Sequence, residues 1–304
     1  MTDILVIGSL NADLVVRAPR FPTPGETIRG ENLVTFPGGK GANQAVAAAR
    51  LGARVAMIGR VGADPFGTTL IDNLRNNKVD VSHVILDDTT PTGAAIIVID
   101  SLGQNSIVLS PGVNGNVSPE DITPESFIDS SLLLLQFEIP IETVIHSAKL
   151  AGEKKLRILL NPAPAHPLPE ELLEAADFIL PNETELGLLT GSSVSDLASI
   201  QKASRSLVER GARNIIVTLG ANGALIVNKA GVKHIPPYKV KVVDTTAAGD
   251  AFVGGLAVGL LNGKSLEDAV QYACACGALA VTKLGAQPSL PTINDVENFL
   301  HQHS

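Results

Sequence analysis

Residues 4–10 (ILVIGSL) form an almost unbroken apolar run, the mark of a strand buried on both faces. Residues 14–16 and 28–36 read as further short strands, separated by the Pro-Thr-Pro-Gly turn at 22–25. The period then changes. Residues 41–51 carry a helical pattern that Gly52 stops, 54–59 a strand, and 65–77 a helix with Pro65 in its first turn. Residues 93–100 and 105–110 predict a hairpin around Ser101-Leu102-Gly103 with no helix between them. Beyond that point alternation resumes: strands at 132–137, 157–160, 178–180 and 214–219, helices at 141–152, 182–189 and 196–210. An Asn222-Gly223 turn pairs the strand at 214–219 with one at 224–227, and helices at 249–261, 265–283 and 294–301 close the chain.

Apolar strands alternating with helices predict an α/β fold on a mostly parallel sheet, with ligands at the carboxyl ends of its strands. The two β-only stretches, inserted at about 12–37 and 93–111, predict a small β-sheet lid beside it. No linker or repeat divides the chain, so 1–304 reads as a single domain.

Composition narrows the chemistry. Apolar residues make up 45 % and charged residues 18 %, which excludes a disordered chain. There is no Trp and aromatics are 3 %, so the core is aliphatic. A net charge of −8 with few aromatics is a poor nucleic-acid binder, and a bound anion would need local amides, a lysine or a metal. The acidic start at 1–4 is unlike a signal peptide, and the uncharged stretch 251–261 is shorter than the roughly 18 residues of a membrane span. The only cysteines, Cys274 and Cys276, have no zinc or disulfide pattern, and the six histidines have no ligand spacing, with His301 and His303 read as tail residues. A cytoplasmic protein is expected.

Several strings carry possible chemistry. Gly38-Gly39-Lys40-Gly41-Ala42-Asn43 opens a helix, where the backbone can approach a ligand closely and Lys40 and Asn43 add donors; it also reads as a plain Gly-rich turn. It is not a Walker A loop. Asp244-Thr245-Thr246-Ala247-Ala248-Gly249-Asp250 sets a small-residue turn before an apolar helix. The amides of Ala248, Gly249 and Asp250 could form an anion hole for a transferring phosphoryl group, and Asp250 could take a proton from an attacking hydroxyl. A carboxylate that only complements the helix dipole would explain Asp250 but not the small residues before it. Asn182 and Glu185 have capping-box spacing, or could hold metal-bound water. Asn11, Asp13 and Glu138 follow strands, where ligand groups and turn residues both occur. Thr218, Gly220 and Gly223 could lie along a nucleotide, though a hairpin suffices to explain them.

These motifs in this order resemble the PfkB (ribokinase) family of carbohydrate and nucleoside kinases across essentially the whole chain. The strings at 38–43 and 244–250 look like its two signatures, and those at 11–13, 38–45, 161–165 and 181–185 are most similar to its ribose-specific members. The resemblance implies a three-layer α/β/α fold and ATP-dependent phosphorylation of D-ribose at its 5-hydroxyl. It implies that Asn11, Asp13, Gly39, Lys40, Gly41, Asn43 and Glu138 hold the sugar, with Asp250 as base. It implies nucleotide contacts at Asn182, Thr218, Gly220, Gly223, Gly249 and Cys274, the last standing where some members carry His. It implies magnesium near Glu185, potassium at Asp244, Thr246, Ala280, Lys283, Gly285 and Ser289, and a homodimer through the lid. Three other readings stay open: a sister kinase for deoxyribose, another sugar or a nucleoside; a sugar-binding regulator without catalysis; and a hydride-transfer enzyme, disfavoured because no GxGxxG follows the first strand.

Overall fold

The computed structural model describes residues 2–127 and 129–303, so the first residue of the acidic N-terminal string lies outside the described residues. In chain order the strands are β1 (Ile4–Ile7), β2 (Asn11–Arg17), β3 (Val34–Gly38), β4 (Val55–Gly62), β5 (Val79–Asp87), β6 (Gly93–Ile99), β7 (Asn105–Ser110), β8 (Leu132–Gln136), β9 (Arg157–Asn161), β10 (Phe178–Ile179), β11 (Asn214–Thr218), β12 (Ala224–Asn228) and β13 (Gly231–Ile235). The helices are α1 (Lys40–Arg50), α2 (Pro65–Asn76), α3 (Ile141–Glu153), α4 (Glu170–Ala175), α5 (Glu183–Thr190), α6 (Leu197–Glu209), α7 (Ala248–Leu261), α8 (Leu266–Ala280) and α9 (Ile293–His303).

The main sheet has the order β13-β12-β11-β10-β9-β8-β1-β4-β5. Its strands from β11 to β5 run parallel, and at one edge β12 returns antiparallel to β11 and β13 antiparallel to β12. Successive residues of a strand point to opposite faces, and here both faces are dry. Ile4, Val6, Leu132 and Leu134 pack with Ala45 of α1, Leu256 of α7 and Ala273 of α8. Their neighbours Leu5, Ile7, Leu133 and Leu135 pack with Val144 of α3, Leu172 of α4 and Leu207 of α6. Helices on both faces make three layers. Local signals start several of them: Asp64 caps α2 through the Gly67 amide ahead of Pro65, and Asp196 caps α6.

The chain leaves β1 toward β4 and β5, then returns to the other side of β1 as β8. The carboxyl ends of β1 and β8 therefore flank the point where strand order reverses, the place where open α/β sheets bind ligands. The β-only stretches form a second sheet of order β3-β2-β6-β7. Its central pair, β2 and β6, is parallel, with Asn11 opposite Gly93.

Several predicted elements shift. The first strand stops at Ile7, because Gly8 to Leu10 leave the ladder to reach the small sheet. The strand expected at 28–36 begins only at Val34; before it the Glu31 amide bonds the Arg17 carbonyl outside any ladder. The Asn-Gly hairpin is instead a five-residue connection, since Thr218 pairs with Ala224 and the Leu219 amide closes the loop on the Gly223 carbonyl. The helix expected at 265–283 ends at Ala280, and 281–285 turn back toward Asp244. His301 and His303 are helical rather than tail: the His303 ring lies 4.2 Å from Phe299 and edge-on to Tyr238. Strands β5 and β13 and helix α4 carried no expectation.

Leu134 sits fully buried in a central strand, between two parallel neighbours. Leu134→Ala should lower unfolding free energy by about 2–5 kcal/mol, read by urea titration; a loss below about 1 kcal/mol would mean that the layer repacks freely.

Candidate active site

Glu138, two residues past β8, gathers the end of β1. Its Oε2 accepts from the Ser9 hydroxyl at 2.5 Å, the Lys40 amide at 3.0 Å and Asn11 Nδ2 at 3.4 Å. The chain enters α1 through Gly39 at φ +88°, where a Cβ would lie 2.7 Å from the Asn11 nitrogen. Only glycine fits that conformation and that approach. Asn114, fully buried in a turn after β7, holds Leu10 by both backbone groups and donates to Asn11 Oδ1 at 2.8 Å. One lone pair of the Asn11 oxygen is so engaged, and one Nδ2 hydrogen is turned to Glu138. Asp13 stands two residues on, on the same face of β2, 8 % exposed. Its carboxylate accepts no hydrogen bond among the described residues.

Asp250 lies in the first turn of α7 and is 5 % exposed. Both its oxygens are held from α1: Oδ2 by Asn43 Nδ2 at 2.9 Å and Oδ1 by Gln44 Nε2 at 3.1 Å. The turn ahead of it bends through Ala247 at φ +58°, a left-handed conformation that costs a non-glycine residue about 1–3 kcal/mol. Of the three amides expected to form an anion hole, that of Ala248 is engaged with the Thr245 carbonyl at 3.3 Å. Those of Gly249 and Asp250 have no acceptor among the described residues. Two free amides at a helix N-terminus, not three, make the candidate hole.

The charges here answer one another. Burial, then the Glu138 and Asp250 charges, push Asp13 from 3.8 up to about 7 against the pull of Lys40. For Lys40 burial is the largest influence and lowers it, but Asp250, Glu138, Glu185 and Asp13 together outweigh that and keep its ammonium above the ordinary value. Glu185 is raised by burial, opposed by the Asn182 amide and Lys40. The capping box is real: Asn182 Oδ1 accepts from the Glu185 amide and Glu185 Oε2 from the Asn182 amide, each at 2.8 Å. That leaves Glu185 Oε1 uncommitted by the cap.

Two adjoining cavities run along the N-terminus of α7. One of about 200 Å³ is lined by Lys40, Asn182, Glu185 and Asp250. The other, about 580 Å³, is lined by Gly220, Gly223, Tyr238 and Cys274. Thr218, Thr245, Gly249 and Phe252 border both. The larger has a mostly apolar lining. Cys274 serves it as an apolar wall, since burial pushes its thiol up to about 12.

Asp244 ties the loop before α7 to the loop after α8. Its Oδ1 accepts from the Thr246 hydroxyl at 2.6 Å and the Thr246 amide at 2.9 Å, and its Oδ2 from the Gly285 amide at 2.9 Å. Burial opposes ionisation, but these donors hold the carboxyl below its usual range. Ala280 and Lys283 lie in the same turn-back, at the negative end of α8, and Ser289 follows one short turn later. No cluster of three or more His, Cys, Asp or Glu side chains that could hold a metal ion occurs among the described residues.

Sequence reading missed Ser9, Gln44, Asn114, Gln136, Tyr238 and Phe252. Gln136 carried a signal, a polar residue ending the buried run LLLLQ. Asn114 carried none, because its partners lie about a hundred residues away.

Comparisons with known proteins bear on all of this. The model of the pfkB family carbohydrate kinases matches residues 1–293. A ribokinase of Haemophilus influenzae is 42 % identical over 300 residues, covering 98 % of each chain. A deoxyribokinase of Salmonella typhi is 40 % identical over 301 residues, again covering 98 % of each. The solved structure of an Arabidopsis thaliana ribokinase complexed with ribose and ATP superposes with a TM-score of 0.91 at 34 % identity, covering 98 % of both chains.

Asp13 generates a test that needs no ligand. Its folded value lies above its unfolded one, so the folded state binds the proton more tightly. Stability is lost as pH rises from about 4 to about 7. Asp13→Asn should therefore melt above wild type at pH 8, with the gap narrowing as pH falls toward 4. Scanning calorimetry across that range checks it, and a gap independent of pH would remove the buried charge as its cause.

Proposed function

The chain belongs to the pfkB family of carbohydrate kinases, and on that premise we propose that it transfers the γ-phosphoryl group of ATP to the 5-hydroxyl of D-ribose, giving D-ribose 5-phosphate and ADP. The observation that carries the choice of a polyol acceptor is the Asp13 carboxylate, buried without a protein donor. Sugar hydroxyls would donate to it, and Asn11 would offer them its second Nδ2 hydrogen. Asn43 Oδ1 is likewise buried without a partner. Gly39, Gly41 and Lys40 complete the sugar site, and Glu138 holds its wall.

The chemistry follows from the α7 N-terminus. The 5-hydroxyl gives its proton to Asp250 as its oxygen attacks the γ-phosphorus, and the bond to the ADP oxygen breaks on the opposite side. The amides of Gly249 and Asp250 face the charge gathering on the phosphoryl oxygens, and Lys40 adds its ammonium. The nucleotide lies along Thr218, Gly220 and Gly223 with its base against Cys274, and Asn182 and Gly249 toward its phosphates. The small sheet is read as a lid that excludes water, which would otherwise compete for the phosphoryl group.

Two metal ions fit the residues present. The free Oε1 of Glu185, in a cavity shared with Asp250, is the hard oxygen donor that magnesium takes through water; when bound, magnesium neutralises phosphate charge. Carbonyls of Thr246, Ala280, Lys283 and Gly285, with Asp244 and the Ser289 hydroxyl, suit a monovalent cation such as potassium, which when bound would add positive field beneath the anion hole. Exposed Ile96, Ile107 and Val108 on β6 and β7 support a homodimer through the lid. No helix among the described residues is long and apolar enough to cross a membrane, and we read the protein as cytoplasmic.

ADP release from MgATP tests the reading, with ribose, 2-deoxyribose, fructose, arabinose and nucleosides offered in turn. Ribose should give the highest kcat/KM; a preference for 2-deoxyribose would move the chain to the sister activity. Asp250→Asn should lower kcat by about 10²–10⁴-fold while calorimetry still finds sugar binding; near-wild-type turnover would remove Asp250 from the base role. Activity should also rise when potassium replaces sodium, and equal rates in both salts would count against a selective cation corner.

A further inference from the structure

Behind Asp250 runs a chain of side-chain amides that the transfer chemistry does not touch. Gln44 donates from Nε2 to both Asp250 Oδ1 and Asn161 Oδ1, each at 3.1 Å. Its Oε1 accepts from Gln136 Nε2 at 2.7 Å. Asn161 in turn donates to the Leu180 carbonyl at 2.9 Å, which fixes its oxygen toward Gln44. Gln44 and Gln136 are fully buried, and Asn161 is 8 % exposed.

Orientation is the point. An amide has a donor end and an acceptor end, and only one way round lets Gln44 serve these neighbours. Turned over, its oxygen would face two oxygens and its nitrogen would face the Gln136 nitrogen. Asp250 and Asn161 claim its nitrogen, and Gln136 satisfies the oxygen that this orientation turns away from them. It does so at a cost to itself, since Gln136 Oε1 is left buried without a partner beside Gly8. Packing alone does not call for this residue. It ends the run LLLLQ, where a fifth leucine would fill the strand end but leave the buried Gln44 Oε1 without its donor.

We propose that Gln136 is a positioning residue for phosphoryl transfer, acting through Gln44 to hold the Asp250 carboxylate in the orientation from which it accepts the substrate's proton. The inference rests on the kinase reading above. Each Asp250 oxygen receives one amide donor and keeps a lone pair for the proton, so the amides orient the base without blocking it. Gln136 touches neither the carboxylate nor the reacting atoms.

The test is a double-mutant cycle with Gln136→Met and Gln44→Met, alone and together, methionine keeping the length while removing the amide. Gln136→Met should lower kcat by about 10–100-fold with sugar KM within about twofold, the sign of an interaction used in the transition state. In the Gln44→Met background the same change should add less than about twofold, because the path to Asp250 is already cut. Gln136→Glu, closer in shape, should lower kcat further by setting a carboxylate against Gln44 Oε1. Thermal melts identify any variant that fails to fold; Gln136→Glu then replaces Gln136→Met in the cycle, and where Gln44→Met is lost the crystal structures below carry the test. Unchanged kcat in a folded variant, or equal losses in both backgrounds, overturns the proposal. Wild type inactive on every acceptor would instead overturn the kinase reading. Crystal structures of wild type and Gln136→Met then decide the positioning claim without substrate: Gln44 withdrawn from Asp250 supports it, and Gln44 unmoved refutes it.

Discussion

A carboxylate buried at the start of α7 must find donors, and the architecture around the site is the means of supplying them. Asp250 obtains both from the first turn of α1, so two helices on the same face of the sheet are locked by their N-termini rather than only by their apolar sides. Hydrogen bonds to a charged group contribute about 1.5–3 kcal/mol each. Two of them fix the spacing between the helix that opens one cavity and the strand ends that hold the other. Asp13, Lys40 and Glu138 then take their positions relative to that junction.

Electrostatic balance follows from the same geometry. Lys40 is ringed by Asp13, Glu138, Glu185 and Asp250, an excess of negative charge that the protein does not neutralise by itself. Such a site resists an anionic ligand unless cations or free amides accompany it. The Gly249 and Asp250 amides and the Oε1 of Glu185 that the cap leaves open border the same cavity as Lys40. The site is built to be completed by what it binds.

Much of this was legible in the sequence, for local reasons. Buried strands announce themselves by unbroken apolar runs, which is why β1 and β8 could be read, and Asp250 could be read because an acid follows a run of small residues at a helix start. Strand β5 escaped notice because it lies at the sheet edge, half exposed, and carries Asp80, Ser82 and His83 among its apolar residues. Helix α8 seemed longer than it is because apolarity continues past Ala280, while the need to reach Asp244 is a tertiary demand. Gln44 and Asn114 act on partners 206 and 103 residues away, and no local pattern encodes such a pairing.

The parallel pairing of β2 with β6 has a consequence for how the molecule assembles. Asn11 meets Gly93 across a stretch of sequence that holds β4, α2 and β5, one wing of the main sheet. Closing so large a loop is entropically unfavourable, and contacts of long sequence separation form slowly. The central layer carries a longer closure still, since β1 pairs with β8 from Ile4 to Leu132, so Asn11 and Asp13 stand on two long-range pairings at once. A ligand that binds only where these pairings have brought the segments together would favour the assembled state by mass action.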